Sequence, residues 1–123
     1  MDLREASLQI NRKIEKCTDE DAIEIFNYEL NTQSLYITLG ARGSLYSNGE
    51  LVHRHASFKT EIKDTIGAGD TYYSFAVLAD ILNIPASERL YIPSLAASLS
   101  TTWLCNEESV TPEKLIDHAN KYL

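Results

Sequence analysis

The chain has 123 residues, of which 44% are hydrophobic and 24% charged, and this composition is typical of one folded domain rather than of a disordered segment. Eighteen acidic residues against eleven basic ones give a net charge of -7, and the longest basic run is Arg12-Lys13, so neither nucleic acid nor an anionic membrane is an expected partner. No apolar run has the length of a membrane span and the first residues show no signal-peptide pattern, so we expect a cytoplasmic protein.

The first forty residues predict two helices and a buried strand. Apolar residues recur at helical spacing between residues 3 and 17, which predicts a first amphipathic helix. Thr18 followed by Asp21 forms a capping pattern, and the apolar stripe of a second helix runs from there to residue 30. The strand-forming run 35–39 ends at Gly40, as expected for a buried strand followed by a turn.

The middle of the chain predicts a hairpin, a glycine turn and a helix. Residues 44–47 and 51–55 read as strands joined by Asn48-Gly49, a strong hairpin signal. Residues 60–62 predict a further strand, and the glycine turn of residues 64–70 leads into a helix over 71–82.

The carboxy-terminal part predicts helices only. Residues 87–90 open a helical pattern, and Pro93 either kinks that helix or begins a new one in its first turn. The run 95–104 is almost wholly apolar, so we expect a central helix there. Thr111-Pro112 predicts the start of a last helix. Strands alternating with helices, together with one hairpin, predict an α/β fold.

Two glycines and a carboxylate carry the chemistry that the residues themselves suggest. Gly67 and Gly69 let backbone amides converge just before a helix, where the helix dipole also favours an anion. Asp70 follows in the first helical turn, where it could accept a proton from an attacking hydroxyl group, as phosphoryl transfer requires. The same residues also suit a tight turn with a helix cap, and spacing alone leaves both interpretations open.

Four segments resemble the ribokinase-like sugar kinases, the pfkB family. The run DTIGAGDT at 64–71 resembles the family signature, and ITLGARG at 37–43 resembles its strand followed by TLGxxG. Residues 2–6 resemble the NxxEA motif with Asp2 in place of Asn, and residues 96–112 resemble the apolar helix and the loop over the adenine. The resemblance implies a ribokinase-like three-layer α/β/α sandwich. Residues 1–123 would form a single, partial kinase domain: its carboxy-terminal part, without the substrate-binding amino-terminal half.

The resemblance also implies roles for individual residues. Asp70 would be the catalytic base, and the amides of Gly67, Ala68 and Gly69 would form the anion hole. Glu5 would hold Mg²⁺ through water, and Asp64 and Ile66 would border a monovalent cation such as K⁺. The residues expected to border the nucleotide are Thr38, Gly40, Gly43, Asn106 and Ser109.

The implied activity is ATP-dependent phosphoryl transfer to a hydroxymethyl group of a sugar or nucleoside, with Mg²⁺. Because GxxxxGK[ST] is absent from the sequence, a P-loop mechanism is excluded. The isolated chain is expected to be inactive without an acceptor site, and uncovered apolar surface would favour a homo-oligomer. Two alternatives stay open: a non-catalytic nucleotide-binding or assembly module, and a vitamin or hydroxymethylpyrimidine kinase of the same superfamily.

Several residues depart from the family pattern or carry other signals. Phe75 stands where a small residue is usual, and Trp103-Leu104-Cys105-Asn106 stands where a Gly-Ala pair is usual. Cys17 and Cys105 form no CxxC pair, which predicts reduced thiols rather than a disulfide or a zinc site. His53 and His55 predict an exposed strand face rather than a metal pair, and His118 is expected to be exposed.

Overall fold

The computed structural model describes residues 1–29, 32–103 and 108–123. Its helices and strands, in chain order, are α1 (Leu3–Gln9), α2 (Asp19–Tyr28), β1 (Leu35–Thr38), β2 (Ser44–Ser47), β3 (Val52–His55), α3 (Ala68–Ile81), α4 (Tyr91–Ser100) and α5 (Pro112–Asn120). The chain divides into two compact units, Met1–Ala56 and Ser57–Leu123. The predicted α/β class is confirmed. Within these described ranges, no helix is long and apolar enough to cross a membrane.

The first unit contains a three-stranded antiparallel sheet in the order β1-β2-β3. The predicted hairpin is confirmed, and Ser47 pairs with Val52, so four residues connect its strands. The side-chain oxygen Oδ1 of Asn48 accepts hydrogen bonds from the amides of Glu50 and Leu51 at 3.0 and 2.9 Å. This asparagine closes the connection because its short side chain replaces a backbone acceptor.

Apolar residues of α1, α2 and the sheet share one core in the first unit. Its largest fully buried members include Ile25, Ile37 and Leu45. The predicted cap of α2 is confirmed: the Thr18 hydroxyl accepts from the amide of Asp21, and the Asp21 carboxylate accepts from the amide of Thr18. These reciprocal bonds satisfy backbone donors that a helix start leaves open.

The prediction of one helix over residues 3–17 is wrong beyond Gln9. Asn11 has φ +53°, a left-handed conformation that asparagine tolerates better than most residues and that ends the helix. The Ser7 hydroxyl accepts from the amide of Ile14 at 3.2 Å and so supports the irregular segment. Ile14 and Cys17 are nevertheless buried, because the apolar spacing marks residues of the core and not the length of the helix.

The second unit is built from α3, α4 and α5. The predicted strand at 60–62 is wrong: these residues lie in no ladder, and the neighbouring amides of Lys63 and Asp64 both donate to the carbonyl of Thr101, at 2.8 and 3.2 Å. Helix α3 begins at Ala68, three residues before the predicted start. Pro93 is the third residue of α4, within the first turn, where its missing N–H costs no helical bond.

His118 was expected to be exposed, and this prediction is wrong because only 1% of its surface is accessible. Its Nε2 lies 2.9 Å from the Ser98 hydroxyl, which donates to the carbonyl of Leu95. The buried Nδ1 has no hydrogen-bond partner among the described residues. The spacing between Leu115 and His118 on α5 could have predicted this burial, since residues three apart lie on the same face of a helix.

Burial, reinforced by the charge of Lys121, lowers the pKa of His118 below 6.5. As the pH falls through 6.5, the unfolded chain therefore takes up the proton before the folded chain does. We therefore expect the free energy of unfolding to decrease as the pH falls through about 6.5, the pKa of histidine in the unfolded chain. Urea denaturation of the His118→Leu variant should show a flatter pH dependence, with His53 and His55 common to both proteins. An equal pH dependence of the unfolding free energy in the two proteins would show that His118 is not its cause.

Candidate functional site

The glycine turn opens α3 as the sequence predicted. Gly67 caps the helix with φ +84°, a left-handed conformation that glycine adopts without steric cost. The amide of Thr71 donates to the Gly67 carbonyl at 3.0 Å, and the amide of Ala68 donates to Thr65 at 3.2 Å. The Ala68 amide is therefore engaged within the turn. Because α3 has 14 residues, the positive end of a well-developed helix dipole lies at its amino terminus.

Asp70 lies in the first turn of α3 and is exposed. Its carbonyl accepts from the Ser74 hydroxyl at 2.9 Å, one helical turn further on. A Cβ atom added at Gly69 would meet nothing within 4 Å, so the space in front of this turn is open. The turn thus presents a carboxylate and a helix dipole to an accessible surface, which suits an anionic ligand next to a proton acceptor.

A cleft of about 870 Å³ lies beside the first two turns of α3. Its lining residues are Ile66, Gly67, Thr71, Ser74, Phe75, Ser100, Trp103, Glu108, Ser109, Val110 and Lys114. The cleft thus brings together Gly67, Ile66 and Ser109, which were expected to border the anion, the cation and the nucleotide. Asn106 and Cys105 lie outside the described residues.

Apart from Ser109, sequence reasoning missed the polar residues that line this cleft. Thr71 and Ser74 follow Asp70 on α3, and their helical spacing places them on neighbouring positions of the helix surface. Nothing in the sequence around Lys114 predicted a role for it in the site. Its ammonium lies 2.9 Å from the Glu108 carboxylate. Phe75, which stands where a small residue is usual in the family pattern, also lines the cleft.

The other predicted nucleotide residues lie in the first unit, at the end of β1. The amide of Leu39 donates to Gly43 at 2.8 Å, and the amide of Gly43 donates to Gly40 at 3.1 Å. Gly40 and Gly43 both have positive φ, of +61° and +98°. The amide of Thr38 donates to Met1 at 2.9 Å, which places the amino-terminal motif beside this turn.

Glu5 and Asp2 form a reciprocal capping box at the start of α1. Oε2 of Glu5 accepts from the amide of Asp2 at 2.7 Å, and Oδ1 of Asp2 accepts from the amide of Glu5 at 2.8 Å. These bonds orient the exposed Glu5 carboxylate without consuming both of its oxygens. One or two carboxylates and several waters are the usual ligands of Mg²⁺, so the Glu5 donor set fits this ion.

The Asp64 carboxylate shapes the turn that precedes Gly67. Its Oδ1 accepts from the amide of Ile66 at 2.9 Å. Carboxylate and carbonyl oxygens suit a hard cation, so this segment fits the monovalent cation that was expected beside Asp64 and Ile66. Among the residues that the structure describes, no three His, Cys, Asp or Glu side chains group as metal ligands.

The same fold occurs in solved sugar-kinase structures. Phosphofructokinase-2 from Escherichia coli, in complex with substrates and products, superposes with a TM-score of 0.80 at 22% identity, covering 99% of this chain and 40% of that one. Ribokinase from Thermotoga maritima superposes with a TM-score of 0.78 at 20% identity, covering 97% and 40%. The class that the fold defines is therefore an α/β protein with part of the ribokinase fold, and the chain spans about 40% of each of those two chains.

Sequence comparison then assigns the family. The chain belongs to the pfkB family of carbohydrate kinases, which matches residues 2–114. A ribokinase from Lactococcus lactis is 30% identical over 66 residues, which are 54% of this chain and 22% of that protein. An ATP-dependent 6-phosphofructokinase from Thermoanaerobacterium thermosaccharolyticum is 37% identical over 59 residues, 48% of this chain and 18% of that protein. The predicted family is thereby confirmed.

Proposed function

We propose that this chain supplies the nucleotide site and the catalytic base of a kinase that transfers a phosphoryl group from ATP to a hydroxymethyl group of a sugar or nucleoside. One observation carries the proposal: a left-handed Gly67 opens a long helix, with Asp70 in its first turn and a cleft alongside. Family membership supports it, because the family is one of carbohydrate kinases.

In this mechanism Asp70 orients the acceptor hydroxyl and takes up its proton. The acceptor oxygen forms a bond to the γ-phosphorus as the bond to the bridging oxygen of ADP breaks. The amides of Gly67, Ala68 and Gly69, at the positive end of α3, stabilise the charge on the transferring group. Since the Ala68 amide also donates to Thr65, we assign the larger share to its two neighbours.

The remaining proposed roles concern the donor and the ions. Thr38, Gly40, Gly43 and the segment with Asn106 and Ser109 border the nucleotide. Glu5 holds Mg²⁺ through water, and this ion offsets phosphate charge when bound. Asp64 and Ile66 border K⁺.

We further propose that residues 1–123 form the carboxy-terminal part of the kinase domain. The chain spans about 40% of each of the two solved structures above. We assign the acceptor-binding residues to the amino-terminal half that the family resemblance implies. The isolated chain is then inactive. Several apolar side chains of α3 are exposed, including Val77 at 56% and Ile81 at 72%, and they favour a homo-oligomer when uncovered.

Calorimetric titration of the chain with Mg-ATP, with and without K⁺, tests the nucleotide site. We expect saturable binding, because the turn, the helix and the cleft are all built from described residues of one unit. Circular dichroism on the same sample controls for folding. A folded chain that binds no Mg-ATP would contradict the proposal and favour the non-catalytic module. Phosphorylation of a hydroxymethylpyrimidine, and not of a sugar, by the full-length enzyme would favour the vitamin-kinase alternative.

A further inference from the structure

A lysine faces the cleft of a strongly acidic chain. Lys114 lies in the first turn of α5, where the Thr111 hydroxyl accepts from its amide at 3.3 Å. Among the described lining residues, Lys114 is the one cationic side chain and Glu108 the one anionic side chain. The charges of the cleft therefore balance without a ligand.

Three contacts position the Lys114 ammonium. Its Nζ lies 2.9 Å from the Glu108 carboxylate and 3.2 Å from the carbonyl oxygen of Ser109. It also lies 5.6 Å from the ring centre of Trp103, which is buried and so forms a fixed surface. A cation held over an aromatic face has already lost part of its side-chain freedom, which lowers the entropic cost of binding a ligand.

Of the three contacts to the Lys114 ammonium, the one with the Glu108 carboxylate is the easiest for a ligand to replace. The Lys114 and Glu108 side chains are 39% and 50% exposed, and ion pairs this open to water contribute little to stability. Gly67 lines the same cleft at the positive end of α3, and Thr71 adds a hydroxyl group. An anion with more charge and more oxygens than a carboxylate would therefore compete well for the ammonium.

We propose that Lys114 is a phosphate-binding residue of this cleft, which exchanges Glu108 for a phosphate oxygen of a polyphosphate ligand. The inference rests on the proposed nucleotide site and adds to it the residue that recognises the phosphate chain rather than the base. A lysine suits this role because its ammonium is a compact charge whose three N–H groups donate to phosphate oxygens in many orientations. Glu108 then acts as an internal competitor that keeps the empty cleft neutral.

Calorimetric titrations of the chain with Mg-ATP, sodium tripolyphosphate and adenosine test the proposal. In the Lys114→Gln variant we expect affinity for Mg-ATP and tripolyphosphate to fall about tenfold, with affinity for adenosine unchanged. In the Glu108→Gln variant we expect tighter binding of both phosphate ligands. Lys121→Gln is the matched control, because it removes the same charge at the exposed carboxy-terminal end of α5.

The outcomes separate this inference from the function on which it rests. A wild-type chain that binds neither Mg-ATP nor tripolyphosphate would overturn both. A wild-type chain that binds Mg-ATP, with Lys114→Gln binding it equally well, would overturn the role of Lys114 alone. An equal loss for adenosine in Lys114→Gln would also overturn it, since a general distortion of the cleft does not distinguish phosphate from base.

Discussion

Replacing Asp70 by asparagine is expected to lower the turnover number of the proposed kinase by about a thousandfold, the scale on which a positioned general base contributes. Asparagine keeps the size of the side chain and removes its proton affinity. Affinity for Mg-ATP should stay within about a factor of two, because the glycine turn and the cleft are unaltered. Steady-state kinetics and calorimetry on the full-length enzyme measure the two quantities.

Asp117→Asn is the matched control for this substitution, since Asp117 is an exposed carboxylate that lies on α5 and not in the glycine turn at the start of α3. Its turnover number should match that of the wild type. Unchanged turnover in Asp70→Asn would remove Asp70 from the role of catalytic base. A large loss of Mg-ATP affinity in the same variant would instead assign Asp70 to nucleotide binding.

The Gly43→Ala variant is expected to lose about 3 kcal/mol or more of unfolding free energy. A Cβ at this position would lie 2.0 Å from the backbone carbonyl oxygen of His55, at φ +98°. Neither the clash with backbone nor the strained conformation can be relieved by moving a flexible side chain. The expected consequence is disruption of the pairing between β2 and β3, measured by urea denaturation.

Gly40→Ala is the matched control, three residues earlier in the same turn. It has φ +61° with nothing within 4 Å of an added Cβ, so its expected cost is about 1 kcal/mol, from the left-handed conformation alone. Equal losses in the two variants would show that conformational strain, and not the approach of the His55 carbonyl, sets the requirement for glycine at residue 43.

Local signals in the sequence predicted most of the elements correctly. The cap at Thr18, the Asn48-Gly49 connection and the proline start of α5 each depend on interactions between residues close in the chain. The glycine turn before α3 also depends on residues close in the chain, since Gly67 lies within one helical turn of Asp70. The family motifs are likewise short segments of the chain, so the family could also be identified from the sequence.

Long-range contacts explain the predictions that were wrong. The left-handed Asn11 ends α1 while Ile14 still reaches the core, so apolar spacing predicted burial correctly and helix length wrongly. The segment at 60–62 has strand-forming residues, but the next amides along the chain bond to Thr101, some forty residues away. Similarly, His118 is buried because Ser98 on another helix offers it a partner.

The sequence by itself determined the family, the α/β class and the residues of the glycine turn, because short-range geometry and local motifs encode them. Only the tertiary structure decided which other side chains share the cleft with that turn. Lys114 lies 47 positions beyond Gly67 and Trp103 lies 36 beyond it, yet all three line one cleft. Such proximity follows from the packing of α3, α4 and α5, and no spacing along the chain records it.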